Sequence, residues 1–183
     1  MKELFEIGLK IQNLFKDFYL AGGTAIMFKH NHRRSMDLDF FKSNPFSFRL
    51  LSQKLRKFFL IENEEFFTDN IDFYIKGIRV SFVFFPYKNI NKTENFKGLK
   101  IASDYDIFLN KIYTAGRRIA YKDLYDCAFL YKIYRWEKNK IKRDFEKKFP
   151  NQSFEIYLGA LLSFEDYGEV EDWLKETLNN LSE

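Results

Sequence analysis

The chain has 183 residues, 46% of them apolar and 20% aromatic, with one cysteine and a formal net charge of +4. That length and apolar share suit one compact domain, or a sheet-containing half beside a helical half, and they exclude bulk disorder. The single cysteine, Cys127, excludes an internal disulfide and a thiolate-cluster metal site; it is expected to be a small buried hydrophobe. No apolar run is long enough to span a membrane, and Lys2 and Glu3 open an amphipathic pattern rather than a signal sequence, so a cytoplasmic location is expected.

The charge is unevenly distributed. From Glu165 onward there are seven acids and one base, Lys175, which leaves 29 bases against 19 acids, a net of +10, in the first 164 residues. Such a body attracts nucleotides, nucleic acid or an acidic partner, although ordinary solvated lysines give the same sum.

Apolar residues Leu4, Ile7, Ile11, Leu14 and Phe15 recur at helical spacing, which predicts an amphipathic helix over 3–16. A short apolar run at 18–20 leads into Ala21-Gly22-Gly23-Thr24, and a helix resumes over 24–29. The polar, basic segment 30–35 precedes Met36-Asp37-Leu38-Asp39-Phe40-Phe41, whose alternation predicts a strand carrying both aspartates on one face. Asn44-Pro45 marks a turn, and Phe48, Leu51, Leu55, Phe58 and Phe59 continue at helical spacing. Strands are predicted over 61–68, 71–76 and 78–85, the last two joined by a hairpin at Lys76-Gly77. Residues 88–98 read as a polar loop. Helices are then predicted over 104–115, 122–134, 137–149, 154–163 and, more weakly, 169–178. The expected organisation is therefore an α/β portion over 1–100 and a helical portion over 101–183 packed against it.

Two carboxylates two residues apart on a strand project together, and a hard divalent cation such as magnesium accepts such oxygen ligands alongside water and phosphate. An Asp-x-Asp pair can equally face solvent, but Leu38 and Phe40 anchor this one in a core. Gly22 and Gly23 allow close backbone approach to a phosphate at a helix start. Thr24 is either part of that turn or a helix cap. Arg33 and Arg34 suit phosphate neutralisation, and Ser35 suits a phosphate contact or a loop brace. His30 and His32 lack a third ligand for zinc and read as surface or supporting residues. Farther on, Lys111, Arg117, Lys122, Asp123 and Asp126 are consistent with substrate contacts or with intramolecular ion pairs.

Phe18-Tyr19-Leu20-Ala21-Gly22-Gly23-Thr24-Ala25, followed by Arg33-Arg34-Ser35-Met36-Asp37-Leu38-Asp39-Phe40-Phe41, resembles the abortive-infection nucleotidyltransferase-like toxin family of bacterial type IV toxin–antitoxin systems. Ile101-Ala102-Ser103, Asp106 to Ile112, Arg117 and Lys122-Asp123-Leu124-Tyr125-Asp126 extend the resemblance to about residue 130. It implies an α+β nucleotidyltransferase fold like that of DNA polymerase beta, with a mixed β-sheet, flanking helices and a helical portion that closes over the nucleotide. By that resemblance Gly22 and Gly23 lie against the triphosphate of an NTP, with Thr24 in the same element, and Asp37 and Asp39 bind Mg2+. Arg33 and Ser35 form the Arg-x-Ser element. Lys111 and Lys122 contact phosphate or substrate, Arg117 lies in the same block, and Asp123 and Asp126 organise the Lys-Asp-x-x-Asp element. The implied reaction moves a nucleoside monophosphate from an NTP to RNA (tRNA among the candidates), protein or a small molecule, with a cognate antitoxin as expression partner.

One departure bears on activity. Other members of the superfamily carry a third carboxylate on a neighbouring strand, and here Ser81 is expected at that place, on a strand with no acid. Asp69 or Asp72 substitutes only under a different strand register. The second reading is accordingly a catalytically impaired relative that binds nucleotide or nucleic acid.

Overall fold

The computed structural model describes residues 2–182. The chain divides into two compact units, Met1–Lys88 with Thr93–Ala102, and Asn89–Lys92 with Ser103–Glu183.

The first unit holds a mixed seven-stranded sheet of order β3-β4-β5-β2-β1-β7-β6. Its strands are β1 (Tyr19–Ala21), β2 (Leu38–Lys42), β3 (Asn63–Phe66), β4 (Asn70–Ile75), β5 (Ile78–Phe84), β6 (Glu94–Phe96) and β7 (Leu99–Ile101). β1 runs antiparallel to β2 and parallel to β7, while β2 runs parallel to β5. Three helices accompany the sheet, α1 (Lys2–Leu14), α2 (Gly22–His30) and α3 (Phe48–Leu55). The apolar stripe of α1, Leu4, Ile7 and Ile11, is buried, as are the alternating residues Leu38 and Phe40 of β2 and Val80 and Phe82 of β5. Phe82 is a hub of this core, its ring centroid 5.1 Å from those of Phe15 and Phe18 and 5.7 Å from that of Phe40. Gln12 is a buried polar exception with its hydrogen bonds made: its amide donates to the carbonyls of Phe15 and Phe18 and accepts from the Lys100 N–H, as a buried amide requires.

The hairpin turn at Lys76-Gly77 has φ of +53° and +70°, the paired left-handed conformations of a tight two-residue connection. The segment 88–98, expected to be a loop, instead contains β6 and leads through Lys97-Gly98, again both at positive φ, into β7. Its edge residues Glu94 and Asn95 are exposed, so the segment lacks the apolar alternation that announces a strand. β2 begins at Leu38, one residue after Asp37. The Asp37 carbonyl accepts from the Thr24 hydroxyl.

The second unit is helical: α4 (Asp104–Ala115), α5 (Tyr121–Tyr134), α6 (Lys138–Lys148), α7 (Phe154–Leu162) and α8 (Asp172–Ser182), with a short 3-10 turn at Phe164–Tyr167. The final helix starts and ends later than its acidic, weakly patterned sequence indicates. α4 is the core helix, buried along nearly its whole length. Ser103 caps it by accepting from the Asp106 N–H at 3.0 Å, and its own hydroxyl donates to the Asp106 carboxylate at 2.8 Å. That carboxylate also accepts from the Ile90 and Asn91 N–H groups and pairs with buried Lys148 at 2.6 Å, pinning residues 89–92 to this unit.

Candidate active site

The Gly-Gly turn and the second aspartate meet at the end of β1. Ala21 pairs with Asp39 across the β1–β2 ladder, and the chain turns into α2 at Gly22, whose φ is +71°. A Cβ on Gly22 would lie 2.6 Å from Asp39 Oδ2, inside van der Waals contact. Glycine is therefore required twice, for the left-handed backbone and for the room taken by the carboxylate. The residue preceding the helix, Ala21, offers no side-chain cap, so the first N–H groups of α2 are left to other acceptors.

Thr24, Ser35 and Asp37 form a brace behind this turn. The Thr24 hydroxyl is fully buried, donates to the Asp37 carbonyl and lies 2.8 Å from Ser35 Oγ. Thr24 thus fixes the backbone at Asp37, and Ser35 acts as the loop brace. Arg33 directs one guanidinium nitrogen to the Arg34 carbonyl at 3.1 Å.

The register of the central strands settles what stands beside the acidic pair. Asp39 pairs with Ser81 on β5, and Ser81 pairs in turn with Asp72 on β4. Ser81 thus stands on the strand beside Asp39, and Asp72 lies in the same row, one strand farther out. Because side chains alternate along a strand, Arg79 shares the face of Ser81. Its guanidinium bonds Asp37 Oδ2 at 2.8 Å and Asp72 Oδ2 at 3.5 Å, while the Asn70 amide donates to Asp72 Oδ1 at 2.7 Å. Burial works against the charge of Arg79, but Asp37, Asp39 and Asp72 together raise its pKa.

Among the described residues no three His, Cys, Asp or Glu side chains converge to hold a metal ion. Asp37 and Asp39 are the carboxylates that could hold a divalent ion here, with Gly22 lacking the Cβ that would crowd Asp39. Two carboxylates with open positions for phosphate and water match magnesium, which seldom occupies an all-protein cage.

In the helical unit the later motif forms its own cluster. Lys111 on α4 is buried and pairs with Asp123 at 2.5 Å and Asp126 at 2.8 Å, the two carboxylates lying near the start of α5. Arg118 adds two bonds to Asp123, from Nε at 2.9 Å and Nη2 at 2.8 Å. Burial alone would lower the Lys111 pKa, yet Asp126 and Asp123 outweigh it and raise it. The ammonium proposed from sequence as a phosphate contact is thus spent on two internal carboxylates. Lys122 is exposed. Arg117 lies over the Tyr113 ring, 4.3 Å from its centroid, and the neighbouring Arg118 is the arginine that joins the cluster. Arg79 and Arg118 were missed from sequence, and Asp72 was named there only as a substitute under a different strand register; for Arg79 the available signal was its place two residues before Ser81.

The mixed sheet with its acidic row and flanking helices, joined to a helical unit, defines a nucleotidyltransferase fold. The match to known proteins narrows this: the family "Nucleotidyl transferase AbiEii toxin, Type IV TA system" covers residues 4–180, and the chain belongs to it. An uncharacterised protein of Aquifex aeolicus strain VF5 is 33% identical over 169 residues, spanning 87% of this chain and 82% of its own. Among solved structures, a candidate nucleotidyltransferase from H. pylori aligns with TM-score 0.58 at 20% identity over 98% of this chain and 89% of its own. JHP933 from Helicobacter pylori aligns with TM-score 0.56 at 19% identity over 98% and 86%. The Megavirus polyadenylate synthase shares the fold more distantly, with TM-score 0.53 at 13% identity over 72% of this chain and 32% of its own. No helix among the described residues is long and apolar enough to cross a membrane.

Proposed function

We propose that the chain is a magnesium-dependent nucleotidyltransferase that moves a nucleoside monophosphate from an NTP to an acceptor hydroxyl or phosphate. RNA, with tRNA as a candidate, is the acceptor class that best suits the basic body; protein and small molecules are the alternatives. The observation that carries this reading is the apposition of Gly22 and Asp39, with Asp37 two residues away. In this reading a phosphate-approach turn and a metal-type carboxylate are built against one another, and Gly22 admits no Cβ without displacing Asp39.

In this reading the acceptor oxygen bonds to the α-phosphorus as the bond to the bridging oxygen breaks; a hydroxyl acceptor gives its proton to water, and pyrophosphate leaves. Bound magnesium supplies charge neutralisation of the phosphates. Asp37 and Asp39 hold it, while Gly22, Gly23 and the uncapped start of α2 receive the triphosphate through backbone N–H groups. Thr24 and Ser35 keep Asp37 in place. Arg33, on the loop before Asp37, is assigned to a phosphate contact; Arg117 and Lys122, exposed in the helical unit, are candidate substrate contacts by the family resemblance alone. Lys111, Asp123 and Asp126 order the start of α5 rather than touch substrate. The antitoxin expected of a type IV system is the proposed protein partner.

A second reading rests on Ser81, which pairs with Asp39 and which the family resemblance puts where other superfamily members carry a third carboxylate; serine does not replace a carboxylate as a base. That reading is a nucleotide-binding relative without turnover. Incubating purified protein with cellular RNA and each of the four labelled NTPs separates the two. Magnesium-dependent label transfer, lost in D37N/D39N, supports the transferase. Intact magnesium-dependent nucleotide binding with no transfer to any acceptor class supports the binding module.

A further inference from the structure

Arg79 occupies an unusual position for a cation in a magnesium site. It approaches from β5, between the Asp37 carboxylate at 2.8 Å and the Asp72 carboxylate at 3.5 Å. Asp72 is 4% exposed and is held by the Asn70 amide. Arg79 itself is about one-third exposed, as is Asp37. The better hydrogen bond goes to the proposed metal ligand, and the longer contact goes to the buried carboxylate that has no such role.

We propose that Arg79 is a resident counter-ion of the acidic pair, which a divalent cation must displace from Asp37, and that Asp72 is the carboxylate that receives it. This rests on the assignment of Asp37 and Asp39 as metal ligands. A planar guanidinium has donors on two edges, so it can stay bonded to one carboxylate while releasing another. Asp72 is suited to receive it because burial makes its charge costly without a partner. Arg79 offsets part of the negative charge that Asp37 and Asp72 bring to this face. It also makes metal binding weak until the triphosphate arrives to contribute its own oxygens.

A purely supporting Arg79 and a competing Arg79 predict opposite signs. Mn2+ alone, without nucleotide, is titrated into the folded full chain and followed by electron paramagnetic resonance. R79Q is expected to tighten Mn2+ binding on the order of tenfold, the effect of removing one charge within a few ångströms. D72N is expected to weaken it, because Arg79 then belongs to Asp37 alone, and this loss should shrink in the R79Q/D72N double variant. Should R79Q fail to fold, R79K serves: its single ammonium cannot span both carboxylates, so a smaller tightening is expected. Unchanged or weaker Mn2+ binding in folded R79Q, or in R79K where that is the variant used, overturns the proposal. The D37N/D39N variant separates the two levels: if it binds Mn2+ like the parent, the site assignment itself falls. If it loses Mn2+ while R79Q equals the parent, only the role of Arg79 falls.

Discussion

Gly22 and Asp39 are in direct apposition, the position of a Cβ on the glycine lying 2.6 Å from a carboxylate oxygen of the aspartate. The contact links two sequence motifs 17 positions apart through one antiparallel pairing, Ala21 with Asp39. It also makes the site sensitive to a single methyl group.

G22A is expected to destabilise the protein by about 1–2 kcal/mol, the cost of a left-handed conformation in a residue with a Cβ. It should displace the Asp39 carboxylate at the same time. Chemical denaturation should show the modest stability loss, and magnesium-dependent nucleotide binding should fall far more than stability does. Parent-like nucleotide affinity in G22A would count against the turn as the triphosphate site.

Lys111 and Lys122 should part company when each is replaced by methionine. K111M removes the buried cation shared by Asp123 and Asp126 and should cost about 3–5 kcal/mol, read from the urea midpoint. K122M, at an exposed position, should stay within about 0.5 kcal/mol of the parent. A K111M protein as stable as K122M would mean that the cluster does not hold the helical unit together.

Much of the first unit was legible because its pattern is period-two apolar alternation: Leu38 and Phe40 point inward, so Asp39 must point outward, and the Lys76-Gly77 hairpin fixes the β4–β5 pairing. Ser81 was expected on a strand neighbouring the acidic pair from the family resemblance, and the pairing with Asp39 comes from the β2–β5 register. Asp72 was legible only as a substitute under a shifted register; the structure keeps the register and brings Asp72 into the row across an additional strand. Strand order is a non-local property that no short window carries. β6 escaped because Glu94-Asn95-Phe96 is an exposed edge whose pairing with β7 depends on the Lys97-Gly98 turn. In the helical unit, the Lys-Asp-x-x-Asp spacing was visible, but burial decides between a substrate contact and an internal ion pair, and Lys111 is buried.

Cys127 is fully buried on α5, and burial raises its thiol pKa well above the ordinary value. Both exposure and thiolate fraction limit its reactivity. A disulfide-exchange reagent at neutral pH should label it only as fast as the protein opens, with full labelling in denaturant. Rapid labelling of the native chain would contradict its placement in the core.

Acid stability should reflect Asp144. Burial raises its pKa, but the Lys140 ammonium at 2.6 Å and the Tyr105 hydroxyl at 2.9 Å outweigh this and lower it below the ordinary value. A carboxyl depressed in the folded state contributes stability that is complete above its unfolded pKa and lost as pH falls through the folded one. D144N should therefore be less stable than the parent at neutral pH by about 1 kcal/mol. The gap should close as pH drops below about 4. A gap independent of pH in thermal melts would exclude this carboxylate as a contributor.

The proposed role of Asp37 and Asp39, binding the metal of a metal–nucleotide complex, can be measured by calorimetric titration of each magnesium–NTP into the folded parent and the folded D37N/D39N variant. At least one nucleotide is expected to bind the parent in a magnesium-dependent manner and to lose that binding in the variant. Equal affinity in the two proteins would remove both aspartates from the metal site.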